Sequence, residues 1–548
     1  MLTIRNLSIS FAGQPAVDRL SFNLEKGKTL AIVGESGSGK SLTALAIMGL
    51  LPPGAQQNGA LFLSLKDWQI ALHELDEKEW QQLRGAKIGM VFQEPMSALN
   101  PVMTVGAQIA ESLQLHQKMN GMQAKATAIQ WLQKVQLPAP DKTYNKYPHQ
   151  LSGGQKQRVM IAMALCCEPL LLLADEPTTA LDATIQKEVL LLMKELQQET
   201  GTATVFITHD LAVARYMADD ILVMLQGKAV EQGPAAAILQ HPQALYTKAL
   251  LACRPSPEQK GKALPTIASF MEGGGWESQT AFPTNPAPSA EVLLKARNIS
   301  VWYEAPKGLG RSAEAYQAVQ DVSFDLYKGE VLGLVGESGC GKSTLGRSLM
   351  GLQPIKEGRL IFGGRDLSHL SEKGWRRVRR EIQLVFQDPF AALNPRMTVG
   401  DALTEPMRVV LGKKGREARK EARRLMDLVN LPESALQRYP HQFSGGQRQR
   451  INIARALALQ PELLICDESV SALDISIQAQ ILNLLQELQR GLGLTLLFIS
   501  HDLSVVYYLA HRVLVMQAGR LVAAGSAAEI LLHPGDAYTR KLVAAAGI

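Results

Sequence analysis

The chain has 548 residues, 46% of them apolar and 20% charged, with a formal net charge of +6. That is an ordinary globular composition, too long for a single core and suited to a few domains. The modest charge argues against a dedicated nucleic-acid binder, and no apolar run approaches the roughly 20 residues that span a bilayer. The five cysteines form no C-x-x-C pair, which leaves zinc and iron–sulfur sites unsupported and fits reduced thiols.

In chain order, Met1-Leu2-Thr3-Ile4-Arg5-Asn6 reads as a short alternating strand and not as a secretory signal. The apolar run Leu30 to Val33 then leads into Gly34-Glu35-Ser36-Gly37-Ser38-Gly39-Lys40-Ser41, followed by a helical segment from Leu42 to Met48. Strand, glycine-rich loop and helix in this order, with G-x-x-x-x-G-K-S spacing, form a phosphate-binding loop. Gly34, Gly37 and Gly39 let the backbone wrap an anion and turn its N–H groups inward. The helix N-terminus adds partial positive charge, Lys40 reaches the β and γ phosphates, and the Ser41 hydroxyl ligates Mg²⁺. Residues about 95–150 have helical periodicity and little strand signal, which predicts a helical subdomain.

Leu151-Ser152-Gly153-Gly154-Gln155 then opens an apolar helix, Val159 to Leu165. Serine and glycine at a helix start make a second anion site, or simply a capped helix with a tight entry. The buried-strand pattern Leu170 to Ala174 ends on Asp175-Glu176. Asp175 is placed to hold Mg²⁺ and Glu176 to orient and polarise an attacking water. A helix over Gln186 to Gln198 and a strand over Val205 to Ile207 follow. Apolar strands alternating with helices predict an α/β domain whose sheet is covered on both faces.

Arg254 to Ala290 is rich in Pro, Gly, Ser and Thr and keeps no periodic apolar pattern, so it reads as a flexible linker. Beyond it the chain repeats. Arg5-Asn6-Leu7-Ser8 returns as Arg297-Asn298-Ile299-Ser300, and the phosphate loop as Gly336-Glu337-Ser338-Gly339-Cys340-Gly341-Lys342-Ser343. Phe443-Ser444-Gly445-Gly446-Gln447 and Asp467-Glu468 repeat the later motifs. The second half has a longer loop near Glu304 to Tyr316, and a helical subdomain over about 389–442. These boundaries give domain one as 1–253, a linker as 254–290 and domain two as 291–548. Two phosphate loops imply two bound nucleotides. Cys340 stands where the first loop has Ser38 and reads as a small replacement residue.

The two Ser-Gly-Gly-Gln pentads, each preceded by Tyr-Pro-His-Gln, make the sequence resemble the ATP-binding subunits of ABC transporters across nearly the whole chain outside the linker. The resemblance implies two tandem domains, each a RecA-like α/β core with an antiparallel β subdomain and a helical subdomain. It implies ATP and Mg²⁺ as ligands. In that family each ATP is held between the phosphate loop of one domain and the pentad of the other. Site one would then combine Ser36, Lys40 and Ser41 with Ser444, Gly446 and Gln447. Site two would combine Ser338, Gly339, Gly341, Lys342 and Ser343 with Ser152, Gly154 and Gln155. Gln93 and Gln387 match the glutamines that touch Mg²⁺, and His209 and His501 the histidines that contact the γ-phosphate. Asp182 and Asp474 match the loop that couples the sites, and Phe11 and Tyr303 the aromatic that stacks on adenine. Ser469 replaces Pro177 without removing a catalytic group, so both sites are expected to hydrolyse.

Gln-Glu-Pro-Met-Ser-Ala-Leu-Asn-Pro from Gln93 and its counterpart from Gln387 resemble the dipeptide/oligopeptide/nickel importers, as do the tails His241-Pro242…Tyr246-Thr247 and His533-Pro534…Tyr538-Thr539. A fused chain of this size is similar to the tandem ATPases of the microcin C and glutathione types. The implied partners are two integral-membrane permeases and a solute-binding protein, with membrane contact through the permeases at the cytoplasmic face of a bacterial inner membrane. The alternative is a tandem ATPase acting on ribosomes or nucleic acid. Such translation factors carry a long charged linker and the repair ATPases carry zinc-binding cysteine pairs, neither of which is present. The basic runs Arg376 to Arg380 and Lys413 to Arg424 read as solvated helical faces.

Overall fold

The computed structural model describes residues 1–65, 68–178, 181–271, 288–303, 316–471 and 473–546. The expected loop over 304–315 and the linker stretch 272–287 lie outside the described residues. The chain divides into two compact units. The first comprises Met1–Leu181, Ile185–Ala252 and Ile267–Gly273; the second comprises Asp182–Thr184, Cys253–Thr266 and Gly274–Ile548.

The first unit begins with β1 (Leu2–Phe11) and β2 (Gln14–Leu24), which join β4 (Ala55–Leu65) and β5 (Trp68–Ala71) in an antiparallel sheet of order β2-β1-β4-β5. Its central sheet contains β3 (Thr29–Val33), β6 (Ile88–Val91), β7 (Leu171–Asp175), β8 (Ala203–Thr208), β9 (Asp220–Leu225) and β10 (Lys228–Pro234). The order is β10-β9-β3-β8-β7-β6, parallel throughout except for β10. The run of leucines in β7 follows from burial on both faces. Leu171 and Leu173 face a core shared with β1, β2 and the helix Lys40–Ile47, whereas Leu172 and Ala174 face the helical region. That region contains the helices Val105–Gln117, Gly121–Lys134 and Gly153–Leu165. Each is entered through a side-chain cap, from Thr104, Asn120 and Ser152 respectively.

The second unit repeats the plan. β11 (Val292–Tyr303), β12 (Tyr316–Tyr327), β14 (Glu357–Phe362) and β15 (Arg365–Asp366) form the antiparallel sheet. β13 (Val331–Val335), β16 (Ile382–Val385), β17 (Leu463–Asp467), β18 (Thr495–Ile499), β19 (Arg512–Gln517) and β20 (Arg520–Ser526) form the central sheet, in the order β16-β17-β18-β13-β19-β20. The helices Val399–Leu411, Gly415–Leu428 and Gly445–Leu457 make its helical region. No helix among the described residues is long and apolar enough to cross a membrane.

The span read as a linker departs from that reading over its first part. Residues Pro257–Gln259 form a short 3-10 turn, Ile267–Met271 a short helix, and Gln259, Leu264 and Phe270 are buried. Aperiodic sequence hid this because the segment is held by single side chains rather than by an apolar stripe. Part of each basic run is engaged locally. Arg379 binds Glu372 and the carbonyls of Met350 and Gly351, Arg423 pairs with Glu433, and Arg424 with Glu421.

Candidate nucleotide sites

In each unit the phosphate loop leaves the end of a fully buried parallel strand and enters a helix, Lys40–Ile47 or Lys342–Leu349. The glycines are required by the backbone. Gly34 and Gly336 have φ of 154° and 153°, and a Cβ on either would strike a carbonyl oxygen, of Met224 or Met516. Gly39 and Gly341 are the N-caps, at φ 97° and 105°. Lys40 curls back so that Nζ donates to the carbonyls of Gly34 and Glu35, both at 2.8 Å, and Lys342 does the same to Gly336 and Glu337 at 2.8 and 2.9 Å. The ammonium is therefore held over the loop by its own backbone.

Ser41 Oγ donates to Asp175 Oδ1 at 3.0 Å, and Ser343 Oγ to Asp467 Oδ1 at 2.8 Å. Burial pushes both carboxyls up from the usual aspartate range, while the serine hydrogen bond and the loop lysine pull them back. A hydroxyl and a carboxylate side by side are hard oxygen donors, a set that suits Mg²⁺. The next residue is in the left-handed region, Glu176 at φ 46° and Glu468 at φ 47°. A left-handed backbone is uncommon for a non-glycine residue. It aims each glutamate at two neighbours. Gln93 Nε2 lies 3.2 Å from Glu176 Oε2, and His209 Nδ1 also 3.2 Å from it. Gln387 Nε2 lies 2.8 Å from Glu468 Oε2, and His501 Nδ1 3.7 Å from it. For Glu468, burial pushes the carboxyl up but His501 and Lys342 outweigh it and hold it low. Burial likewise opposes the charged form of His501, and Glu468 and Asp502 outweigh it and hold its imidazole above the ordinary value. So in both units the lysine, serine, aspartate, glutamine, glutamate and histidine named from sequence converge.

The pentads sit elsewhere in their own units. Ser152 and Ser444 cap the helices Gly153–Leu165 and Gly445–Leu457 in full capping boxes with Gln155 and Gln447. Gly154 is a glycine because a Cβ there would lie 2.7 Å from Ile185 Cγ2, and Gly446 because a Cβ would strike Ile477. Each pentad is thus pressed against the helix that follows Asp182 or Asp474. In Tyr-Pro-His-Gln, Tyr147 stacks on His149 and Tyr439 on His441, which builds the turn before the pentad. Phe11 packs against the sheet core, and the Tyr303 hydroxyl lies 3.2 Å from Thr344 Oγ1 on the helix after the second loop. Ser36, Gly37, Ser338 and Gly339 lie within the loops, with Gly37 and Gly339 at φ 81° and 80°. Burial pushes the Cys340 thiol up, which suits an inert small residue.

Two residues escaped the reading of motifs. Tyr246 and Tyr538, in the C-terminal tails of the two units, accept hydrogen bonds at their hydroxyls from the phosphate-loop N–H groups of Glu35 (3.3 Å) and Glu337 (3.1 Å). The recurrence of Tyr-Thr after His-Pro was visible, but nothing in it pointed back some 200 residues to the loop.

A profile of the ABC transporter family matches residues 17–179 and again 319–471. The chain belongs to the ABC transporter family. It is an ATPase of that family, carrying two ATP-binding domains in one polypeptide. It is 46% identical over 555 residues to the glutathione import ATP-binding protein GsiA of Pectobacterium atrosepticum, covering 100% of this chain and 89% of that one. Proteins of the same name from Escherichia coli strain K12 and from Salmonella choleraesuis are each 47% identical, over 562 and 561 residues, with the same coverage. Lys40, Ser41, Gln93, Ser152, Asp175, Glu176 and His209 each have an identical residue in the second half: Lys342, Ser343, Gln387, Ser444, Asp467, Glu468 and His501.

Proposed function

We propose that this ABC protein hydrolyses two ATP molecules to energise import of peptides or peptide-like solutes through two membrane permeases fed by a solute-binding protein. The observation that carries the reading is the duplicated constellation in which a glutamate in the left-handed region, a histidine and a glutamine meet beside a phosphate-binding loop. Domains 1–253 and 291–548 are assigned as the two nucleotide-binding domains. The resemblance to the family supports a crosswise arrangement. Lys40 and Ser41 would then share one ATP with Ser444 and Gly446, and Lys342 and Ser343 the other with Ser152 and Gly154. Phe11 and Tyr303 are assigned to the adenines.

Ser41, Asp175 and Gln93, with Ser343, Asp467 and Gln387, would hold Mg²⁺, which neutralises charge on the β and γ phosphates. Loop N–H groups and Lys40 or Lys342 bind the phosphate oxygens. Glu176 or Glu468 accepts a hydrogen bond from the attacking water and draws off its proton as the oxygen bonds to the γ-phosphorus and the γ-phosphorus–oxygen bond to the β-phosphate breaks, releasing ADP and phosphate. His209 or His501 orients that glutamate, and Gln93 or Gln387 reports the state of the site to the helical region. The names of the relatives support a glutathione-like or peptide cargo, and a role in import would put the protein at the cytoplasmic face of the inner membrane. Uptake of labelled glutathione and short peptides by cells lacking this chain tests the reading. Uptake should fall and return with the intact chain but not with Lys40→Ala/Lys342→Ala. Unchanged uptake of every peptide tried would overturn it.

A further inference from the structure

Residues Cys253–Thr266 belong to the second unit and lie against two of its helices, Ile475–Leu492 and Leu503–Leu509. The grip is specific. Asn483 holds Leu264 at both backbone groups: the Leu264 N–H donates to Asn483 Oδ1 at 2.8 Å, and Asn483 Nδ2 donates to the Leu264 carbonyl at 2.8 Å. The Tyr508 hydroxyl donates to the Lys262 carbonyl at 2.8 Å, with Asn483 Oδ1 at 3.2 Å and Gln486 Oε1 at 3.3 Å beside it. Lys260 Nζ donates to the Ala510 carbonyl at 3.0 Å, at the C-terminus of the second helix, and sits 4.5 Å over the Tyr507 ring. A cation there complements the helix dipole. Leu264 is only 2% exposed.

The duplication supplies an internal control. The ninth residue of the 18-residue helix Ile475–Leu492 is Asn483, and the ninth of its counterpart Ala183–Thr200 is Leu191, 47% exposed. The twelfth residue, Gln486 beside Tyr508, is Lys194 in the first unit, where Nζ instead caps the carbonyl of Tyr216. Tyr508 has an identical counterpart in Tyr216, so the surface that receives the segment differs between the units at Asn483 and Gln486. Both helices begin beside residues assigned to the nucleotide sites. Ile475–Leu492 starts directly after Asp474, and Leu503–Leu509 starts at its cap Asp502, directly after His501.

We propose that residues 256–266 form a brace, docked in cis, that fixes these two helices against each other and so sets the position of the His501 loop. Asn483 and Tyr508 are then positioning residues for hydrolysis in the second domain alone. The test uses the full chain. Asn483→Ala removes two hydrogen bonds, so amide exchange over 260–264 should rise about 30-fold. Exchange at the Ser504 and Val505 amides, which Asp502 caps, should rise with it, while the equivalent Ala212 amide on Asp210 stays unchanged. The kcat for ATP should fall with KM unaltered. Asn483→Asp, which keeps the acceptor for Leu264 N–H, should give intermediate values, Lys260→Gln should act in the same direction, and Leu191→Ala should do nothing. An unchanged exchange rate at 260–264 would overturn the docking. Fast exchange there with Ser504, Val505 and kcat unaltered would overturn the coupling. The exchange measurements are independent of the assigned nucleotide roles, so a failure of those roles would show only in kcat.

Discussion

Replacing Glu176 or Glu468 by glutamine keeps the shape of the side chain and leaves an oxygen that can still accept from Gln93 or Gln387 by an amide flip. What is lost is the negative charge that draws a proton from water. Loss of a general base costs about 10²- to 10⁴-fold in rate, or about 2.7 to 5.4 kcal/mol of barrier. The two glutamates share the same strained backbone, φ 46° and 47°, and the same backbone anchor, each N–H donating at 3.0 Å to the strand end, Ile207 or Ile499. Nothing in that geometry marks one as idle. Steady-state phosphate release from purified full-length chain should therefore fall to half or less in each single variant, and to about 1% or below in Glu176→Gln/Glu468→Gln. ATP binding, read by a fluorescent analogue, should persist in all three. A single variant that retains the full wild-type rate while the other loses activity would refute the claim of two competent sites.

Tyr246→Phe and Tyr538→Phe remove the acceptor for a phosphate-loop N–H at a cost of about 1 to 2 kcal/mol, which should appear as an increase of about 5- to 30-fold in KM for ATP. Gly154→Ala and Gly446→Ala force a methyl into Ile185 and Ile477 and should destabilise by about 1 to 3 kcal/mol, read as a lower denaturant midpoint together with reduced turnover. His511 is held below its ordinary pKa, first by burial and then by Lys260 and Arg490, while its Nδ1 accepts from the Val331 N–H at 2.9 Å. Because the folded value is depressed, the unfolded chain takes up the proton first, so stability present above about pH 6.5 should be lost as pH falls toward the folded value. Melting scans between pH 7.5 and about 5 should show this slope, and His511→Gln should flatten it.

The motifs could be read from sequence because each is a local backbone demand. Gly34 and Gly39 are glycines since no Cβ fits their φ angles or their neighbours, and Ser152 and Gln155 cap within a single turn. The strands were equally legible, since Leu171 to Ala174 must be apolar at every position when one face meets the antiparallel sheet side and the other the helical region. What stayed hidden depends on partners far along the chain. Leu264 is bound by an asparagine 219 residues away, and Glu35 by a tyrosine 211 residues away, and neither pairing leaves a periodic trace. A composition rich in proline and glycine therefore reads as slack even where two side chains, Asn483 and Tyr508, hold the backbone. The duplication exposes such places, because a fold repeated with the same strands and loops isolates the positions at which the two copies part. Asn483 against Leu191 and Ser469 against Pro177 are differences set on helices or turns next to otherwise identical catalytic groups. Divergence of that kind changes how a site is held while leaving its chemistry in place. The two sites should accordingly differ in how rigidly their histidine loops are positioned, even though the lysine, serine, aspartate, glutamine, glutamate and histidine of one recur in the other.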